Sequence, residues 1–163
     1  MAVGKTSVGR LLAASLRWEC SDSDGEIRAQ EGTTARELQD ARGAAVLHEL
    51  EARLLLDALA RVQPSVVCAA ASTIDDARCR AALRGPGVST IWLQATLATM
   101  VARYEADPHR PHYPQGTAAA LAAQLASRRA NFWSVASATI AVDDLTPEQT
   151  AGRVLSLIRS ARA

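Results

Sequence analysis

The first residues that could carry chemistry are Gly4-Lys5-Thr6, near the start of the sequence. They match the second half of the phosphate-loop pattern G-x-x-x-x-G-K-[ST]. In that pattern backbone N–H groups cradle phosphates, the lysine reaches the terminal phosphates and the hydroxyl residue binds magnesium. Lys5 is the only lysine in the sequence, although arginine is abundant. The tripeptide therefore predicts a nucleotide-phosphate site, the alternative being an ordinary glycine turn before a surface helix.

Two carboxylates follow a short predicted strand, Trp18 to Ser21, in the segment Asp22-Ser23-Asp24. This acidic pair, about seventeen residues after Lys5, strengthens the prediction of a phosphate site, with the simpler alternative that Asp22 and Asp24 only cap the end of the strand.

The elements that must position these residues alternate between strand and helix. Apolar residues recur at helical spacing directly after Thr6, and β-prone runs lie at 65–69, 89–93 and 139–142. Further helices are predicted from the capping-box sequence at Thr34, near 47–55, and at 75–83, 97–104 and 117–135, with a closing helix from Pro147. Strict alternation predicts an α/β fold with a mainly parallel sheet.

The length and composition indicate a single domain, residues 1–163. Of its residues 48% are apolar and 21% are charged, and the net charge is +1. No basic face marks a nucleic-acid partner, and no apolar run is long enough to span a bilayer. Three cysteines without a C-x-x-C pair indicate a reduced, cytoplasmic protein. We expect a monomer that acts on a small molecule, with no nucleic-acid or membrane partner.

Met1 to Ala13, followed by Asp22-Ser23-Asp24, Ile27 and Gly32, resembles the opening of shikimate kinases. That family runs M-G-x-G-K-[ST]-x-x-G-x-x-L-A and then D-x-D-x-x-I-x-x-x-x-G. The similarity continues through 43–51, the strand at Val66, 107–111, 129–133 and 142–148, and so covers essentially the whole chain. The resemblance implies a three-layer P-loop kinase fold that uses ATP and Mg²⁺ to phosphorylate a hydroxyl of shikimate or a related carboxylated polyol.

The resemblance also implies a role for individual residues. Lys5, Asp24 and Arg110 would be catalytic, and Thr6 and Asp22 would hold the metal. Asp24 would orient the attacking hydroxyl, Arg110 would close over the transferring phosphoryl group with a lid at about 106–117, and Arg129 would bind the acceptor's carboxylate. The ATP site would comprise Ala2, Val3, Gly4, Lys5, Thr6, Ser7 and Arg110, and the acceptor site Asp24, His48, Ala70 and Arg129. Arg110 and Arg129 could instead be solvated surface residues.

The acceptor site departs from the family pattern at two places. The family's F-R-x-x-E segment reads Leu47-His48-Glu49-Leu50-Glu51 here, so that an arginine is replaced by His48. The family's three-glycine turn reads Ala70-Ala71-Ser72, where alanine would be strained if positive φ were required. These changes predict a divergent acceptor site, although His48 could equally be a packed helix residue.

In the family a strand precedes the phosphate loop and lies in the middle of the sheet. The sequence lacks that strand and the first half of the loop, so we expect an N-terminally truncated chain with two unpaired neighbouring strands. Two rival functions remain open. One is a non-catalytic nucleotide-binding protein, and the other is a kinase for a different hydroxy acid. Acceptor motifs of gluconate or nucleoside monophosphate kinases are not found.

Overall fold

A computed structural model describes residues 2–106, 113 and 115–160. Helices and strands alternate, as the sequence predicts. The elements are α1 (Lys5–Leu16), β1 (Glu19–Asp22), α2 (Ser23–Glu31), α3 (Ala35–Arg42), α4 (Ala44–Leu59), β2 (Ser65–Cys68), a 3₁₀ helix (Ala71–Asp75), α5 (Ala77–Leu83), β3 (Ile91–Gln94), α6 (Leu97–Glu105), α7 (Thr117–Val135), β4 (Ala138–Ala141) and α8 (Pro147–Ser160).

The described strands form two parallel pairs, β1 with β2 and β3 with β4. In the first pair the register runs from Glu19 opposite Ser65 to Asp22 opposite Cys68. In the second pair Ile91 lies opposite Ala138. The parallel pairing confirms the predicted sheet type, and it brings the carboxyl ends of β1 and β2 to the same edge.

Helices cover both faces of the β1–β2 pair, which gives the three layers expected of the fold. Val66 packs against the largest core, which includes α1 and α8, whereas the next residue, Val67, packs against the core formed by α4 and α5. Successive side chains of a strand point to opposite faces. The β2 strand is therefore buried from two sides. Among the described helices, none is both long enough and apolar enough to cross a membrane.

A separate small core holds α2, α3 and α4 together, and it consists of Ile27, Leu38, Leu47, Leu50 and Leu54. The capping box predicted at the start of α3 is present, because Thr34 and Glu37 bond to each other's backbone N–H groups. Gly43, with φ +86°, separates α3 from α4. This packing fixes the orientation of α4, and with it the direction of the helix face that carries Glu51.

The structure differs from the sequence-based expectation in two elements. The segment after Asp22 is the start of helix α2, because the Asp22 side chain accepts a hydrogen bond from the N–H of Asp24 and caps the helix. The predicted helix at 75–83 is divided at Asp76, whose side chain caps α5. The predicted lid falls mostly on residues 107–112 and 114, so Arg110 lies outside the described residues.

Helix α1 lies unusually close to β2 at Gly9. A Cβ at Gly9 would stand 2.2 Å from Sγ of Cys68 and 3.7 Å from Sγ of Cys20. Only a residue without a side chain allows this approach. Cys68 in turn donates a hydrogen bond to the carbonyl oxygen of Lys5 at 3.4 Å, which ties β2 to the first turn of α1.

We therefore expect Gly9→Ala to lower the free energy of unfolding by about 1–3 kcal/mol, the usual range for overpacking a close contact. Gly152→Ala is the matched control, since that helical glycine has no atom within 4 Å of an added Cβ. It should gain up to about 1 kcal/mol from helix propensity. Urea unfolding measures the stability of both variants. Adding Cys68→Ala to Gly9→Ala should restore stability, because it removes the sulfur atom that the new Cβ would meet. Equal stability of the two single variants would contradict the close contact.

Candidate active site

The first turn of α1 forms an anion-binding terminus. Gly4 precedes it in the left-handed conformation, with φ +82°, and a Cβ added there would meet no atom within 4 Å. Gly4, at the N-cap position, offers no side chain to cap the helix, and the first turn contains no acidic residue. The first N–H groups of a helix have no partner within the helix, and together with the helix dipole they favour a phosphate. Lys5, Thr6 and Ser7 occupy this turn, as the sequence predicts.

Thr6 and Asp22 are joined directly across the gap between α1 and β1. Oγ1 of Thr6 donates to Oδ2 of Asp22 at 2.7 Å. A hydroxyl and a carboxylate beside a phosphate site are oxygen ligands of the type that Mg²⁺ prefers, and this ion usually keeps several waters and contacts only one or two protein groups. The arrangement fits magnesium bound through Thr6, with Asp22 accepting hydrogen bonds from its water shell.

Ala2, in the phosphate loop, adopts a conformation that favours glycine. Its φ is +49°, in the left-handed region. An L-residue with a side chain pays about 1–2 kcal/mol for this conformation. The next residue, Val3, is 7% exposed and packs into the largest core, so the loop is held at this point despite the strain.

A cavity of about 260 Å³ opens beside the phosphate loop. Its described walls are mostly apolar, and the charged residue among them, Arg103, donates to the carbonyl oxygen of Val142 at 3.2 Å. A flat aromatic base attached to a phosphate at α1 would fit such a slot. The lining residues are Val3, Gly4, Val8, Arg103, Val142, Leu145, Pro147 and Thr150. Sequence reasoning missed Arg103 and Pro147 as site residues because they come from separate elements and belong to no local motif.

Glu51 is the central ionisable group on the opposite side of the cleft. It is 7% exposed and accepts a short hydrogen bond from the hydroxyl of Ser72. Burial raises the pKa of Glu51, and the Asp24 charge adds to this, while the Ser72 hydrogen bond and the Arg128 and Lys5 charges oppose it. Glu51 is thus close enough to Lys5 of the phosphate turn and to Asp24 for both charges to affect its pKa.

Three of the predicted acceptor residues surround this part of the cleft. Asp24 is exposed in the first turn of α2, and His48 is exposed on α4 one turn before Glu51. The covered part of the imidazole is desolvated, which lowers the pKa of His48; the nearby Arg128 charge lowers it further and the Asp75 charge opposes this, so the imidazole is mainly neutral at neutral pH. Ala70 lines a shallow depression together with Glu51. Its φ is −62°, so the strain considered for alanine at this turn is not found.

The two neighbouring arginines of α7 lie in different environments. Arg129, which the family motif selects, is exposed. Arg128 has a side chain that is 12% exposed and pairs with Asp75 at 2.8 Å. Its charge lowers the pKa of both His48 and Glu51. The structure therefore brings Arg128 to the described part of the acceptor cleft, which the sequence motif did not indicate, and the carboxylate-binding role of Arg129 stays a prediction.

Comparisons with known proteins agree with this geometry. The shikimate kinase family model matches residues 1–159. The shikimate kinase of Mesorhizobium japonicum is 31% identical over 158 residues, covering 97% of this chain and 77% of that protein. The shikimate kinase of Salinispora tropica is 34% identical over 157 residues, covering 96% of this chain and 92% of that protein.

The solved structure of shikimate kinase from Acinetobacter baumannii in complex with shikimate superimposes with a TM-score of 0.86 at 25% identity, covering 99% of this chain and 89% of that one. Shikimate kinase from Bacteroides thetaiotaomicron shares the fold at a TM-score of 0.83 and 18% identity, over 98% of this chain and 94% of that one. With the phosphate turn, the carboxylates of β1 and α2 and the three layers in place, the chain belongs to the shikimate kinase family of P-loop kinases.

Proposed function

We propose that the protein transfers the γ-phosphoryl group of ATP, in the presence of Mg²⁺, to a hydroxyl of shikimate. The observation that carries this proposal is the direct contact of Thr6 with Asp22 at the start of α1, with Asp24 two residues further on. A hydroxyl and a carboxylate for the metal and a second carboxylate for the acceptor thus lie at one edge of the sheet.

On the nucleotide side, the chain supplies positive charge and fixed donors. The N–H groups at the start of α1 and the ammonium group of Lys5 bind the phosphate oxygens, and the helix N-terminus that supplies the N–H groups is formed without a ligand. Preorganised donors of this kind stabilise the charge that develops during phosphoryl transfer. Magnesium, held by Thr6 with support from Asp22, supplies further neutralisation of phosphate charge. The cavity beside Arg103 receives the base.

On the acceptor side, the carboxylate of Asp24 accepts a hydrogen bond from the attacking hydroxyl and so holds its oxygen toward the phosphate. Phosphoryl transfer depends mainly on such positioning, because the transition state is loose. The predicted roles of Arg110, as the lid arginine, and of His48 and Ala70, as acceptor-site residues, remain part of this proposal.

We also propose that the protein acts in the cytoplasm as a monomer. The cysteines Cys20, Cys68 and Cys79 are all free thiols, and two of them are buried. Unpaired thiols are typical of a reducing compartment. Size-exclusion chromatography with light scattering tests the monomer directly.

The function is tested by ADP release from the full-length gene product with ATP, Mg²⁺ and shikimate. We expect shikimate-dependent turnover that falls about 10²–10⁴-fold in Asp24→Asn, the range for loss of an acid–base or orienting group. Asp57→Asn, an exposed carboxylate on α4, is the control and should keep full activity. Turnover with another hydroxy acid alone would indicate a changed acceptor, and ATP binding without turnover would indicate a non-catalytic protein.

Ala2→Gly should relieve the strained backbone of the phosphate loop. We expect the free energy of unfolding to rise by about 1 kcal/mol and the KM for ATP to fall several-fold, because glycine adopts positive φ without strain. Gly4→Ala is the opposite change at φ +82° and should raise the KM for ATP. Thermal unfolding and steady-state kinetics measure both effects. A higher KM in Ala2→Gly would show that the alanine methyl group contributes to binding.

His48→Arg should strengthen binding of the acceptor acid. At pH 7.5 His48 is neutral, since its pKa lies below the ordinary value of 6.5. A guanidinium at this position adds a charged, bidentate donor, which charge-assisted hydrogen-bond energies translate into roughly a tenfold lower KM for shikimate. The KM for ATP should not change. His48→Gln, which adds no charge, serves as the control. An unchanged KM for shikimate in His48→Arg would place this residue outside the acceptor contact.

A further inference from the structure

The acceptor cleft contains an arginine that is already paired with a carboxylate of the same chain. Nε and Nη2 of Arg128 both reach Oδ2 of Asp75 at 2.8 Å, and Nη1 donates to Oε1 of Gln124 at 3.1 Å. The side chain of Arg128 is 12% exposed and that of Asp75 is 46% exposed. The guanidinium is thus held by its own helix and the surrounding packing, whereas its carboxylate partner faces solvent.

Helix geometry explains why Arg128 points into the cleft and its neighbour does not. Arg128 lies one turn from Gln124 and seven residues from both Leu121 and Val135, which are buried. Residues separated by four or seven positions share one helix face. Arg129 is rotated away from this face and is exposed.

Asp75 stands at the rim of the same cleft. It is the last residue of the 3₁₀ helix that follows β2, and this helix also carries Ser72, whose hydroxyl holds the buried Glu51. The charges that act on Glu51 are those of Asp24, Arg128 and Lys5. Lys5 belongs to the phosphate turn, whereas the charge of Arg128 acts on both Glu51 and His48, so among the described residues Arg128 is a cation that lies beside the predicted acceptor site.

We propose that Asp75 is an internal counter-ion at Arg128, which the acceptor's carboxylate displaces on binding, so that competition between the two carboxylates sets the affinity for the acid. This inference rests on the proposed function. The planar guanidinium presents a fork that matches a carboxylate bidentately. An ion pair whose acid is half exposed is held weakly, so its exchange for another carboxylate is readily reversible.

Asp75→Asn tests the competition, because the amide oxygen can still accept a hydrogen bond from Arg128 while the negative charge is removed. We expect the KM for shikimate to fall about three- to tenfold, with kcat and the KM for ATP unchanged. Shikimate methyl ester, which lacks the charge, should show no such gain. The decisive quantity is the ratio of kcat/KM for the acid to kcat/KM for the ester, which a purely structural role of Asp75 would leave unaltered.

Asp76→Asn is the matched control. Asp76 pairs with Arg78 and caps α5, and asparagine also caps helices well, so the acid-to-ester ratio should stay at the wild-type value. Arg128→Gln should lower the ratio toward one. An unchanged or lower ratio in Asp75→Asn would overturn the proposal, as would loss of acid preference in Arg129→Gln but not in Arg128→Gln.

Failure of the proposed function gives a different result. A full-length gene product without shikimate-dependent turnover would contradict the kinase assignment. Calorimetric titration of shikimate into the wild type and Asp75→Asn then still tests the counter-ion. Tighter binding to the variant supports the competition, and equal or weaker binding, or none to either protein, refutes it.

Discussion

The hydrogen bond between Thr6 and Asp22 is the contact on which the site depends. It joins the first turn of α1 to the end of β1 at 2.7 Å, and it requires that the helix lie close to the strands. That closeness in turn requires Gly9, where a Cβ would collide with Cys68. Asp22 also caps α2 through the N–H of Asp24, so the carboxylate proposed to support the metal also positions Asp24, the carboxylate proposed to bind the acceptor hydroxyl. A single side chain thereby couples the nucleotide and acceptor sides.

The acceptor side depends on a different constraint, the burial of Glu51. In a folded protein a carboxylate can be both buried and ionised only when hydrogen bonds or an opposite charge stabilise it. Here the hydroxyl of Ser72 supplies the direct hydrogen bond, and the charge of Arg128 also favours the ionised form. His48, in the place of the family arginine, contributes no charge at neutral pH because burial and Arg128 lower its pKa. At 70–72, where the family has three glycines, this chain therefore has a serine whose hydroxyl group hydrogen-bonds Glu51.

The parts of this structure that the sequence predicted are those encoded by neighbouring residues. The phosphate turn at Gly4-Lys5-Thr6, the capping box at Thr34 and the alternation of strands and helices all depend on short-range patterns. Helix α2 was not predicted because its cap, Asp22, also reads as the end of a strand. The environments of Arg128 and Arg103 could not be predicted, since they depend on which face of α7 packs inward and on contacts between distant elements. The motif selected Arg129 because spacing alone does not define the rotation of a helix.

The contrast between the two sides suggests how this family can change its acceptor while keeping its fold. The nucleotide side consists largely of backbone N–H groups, one glycine contact and residues of the main core, so most substitutions there would disturb packing. The acceptor side is formed by side chains on α2, α4, the 3₁₀ helix and α7, many of them exposed. His48 can therefore vary with little effect on stability, because surface substitutions usually change it by about 0.5 kcal/mol or less. If Asp75 is the counter-ion that we propose, substrate preference in such a site is set by the balance of charges around Arg128 and Glu51.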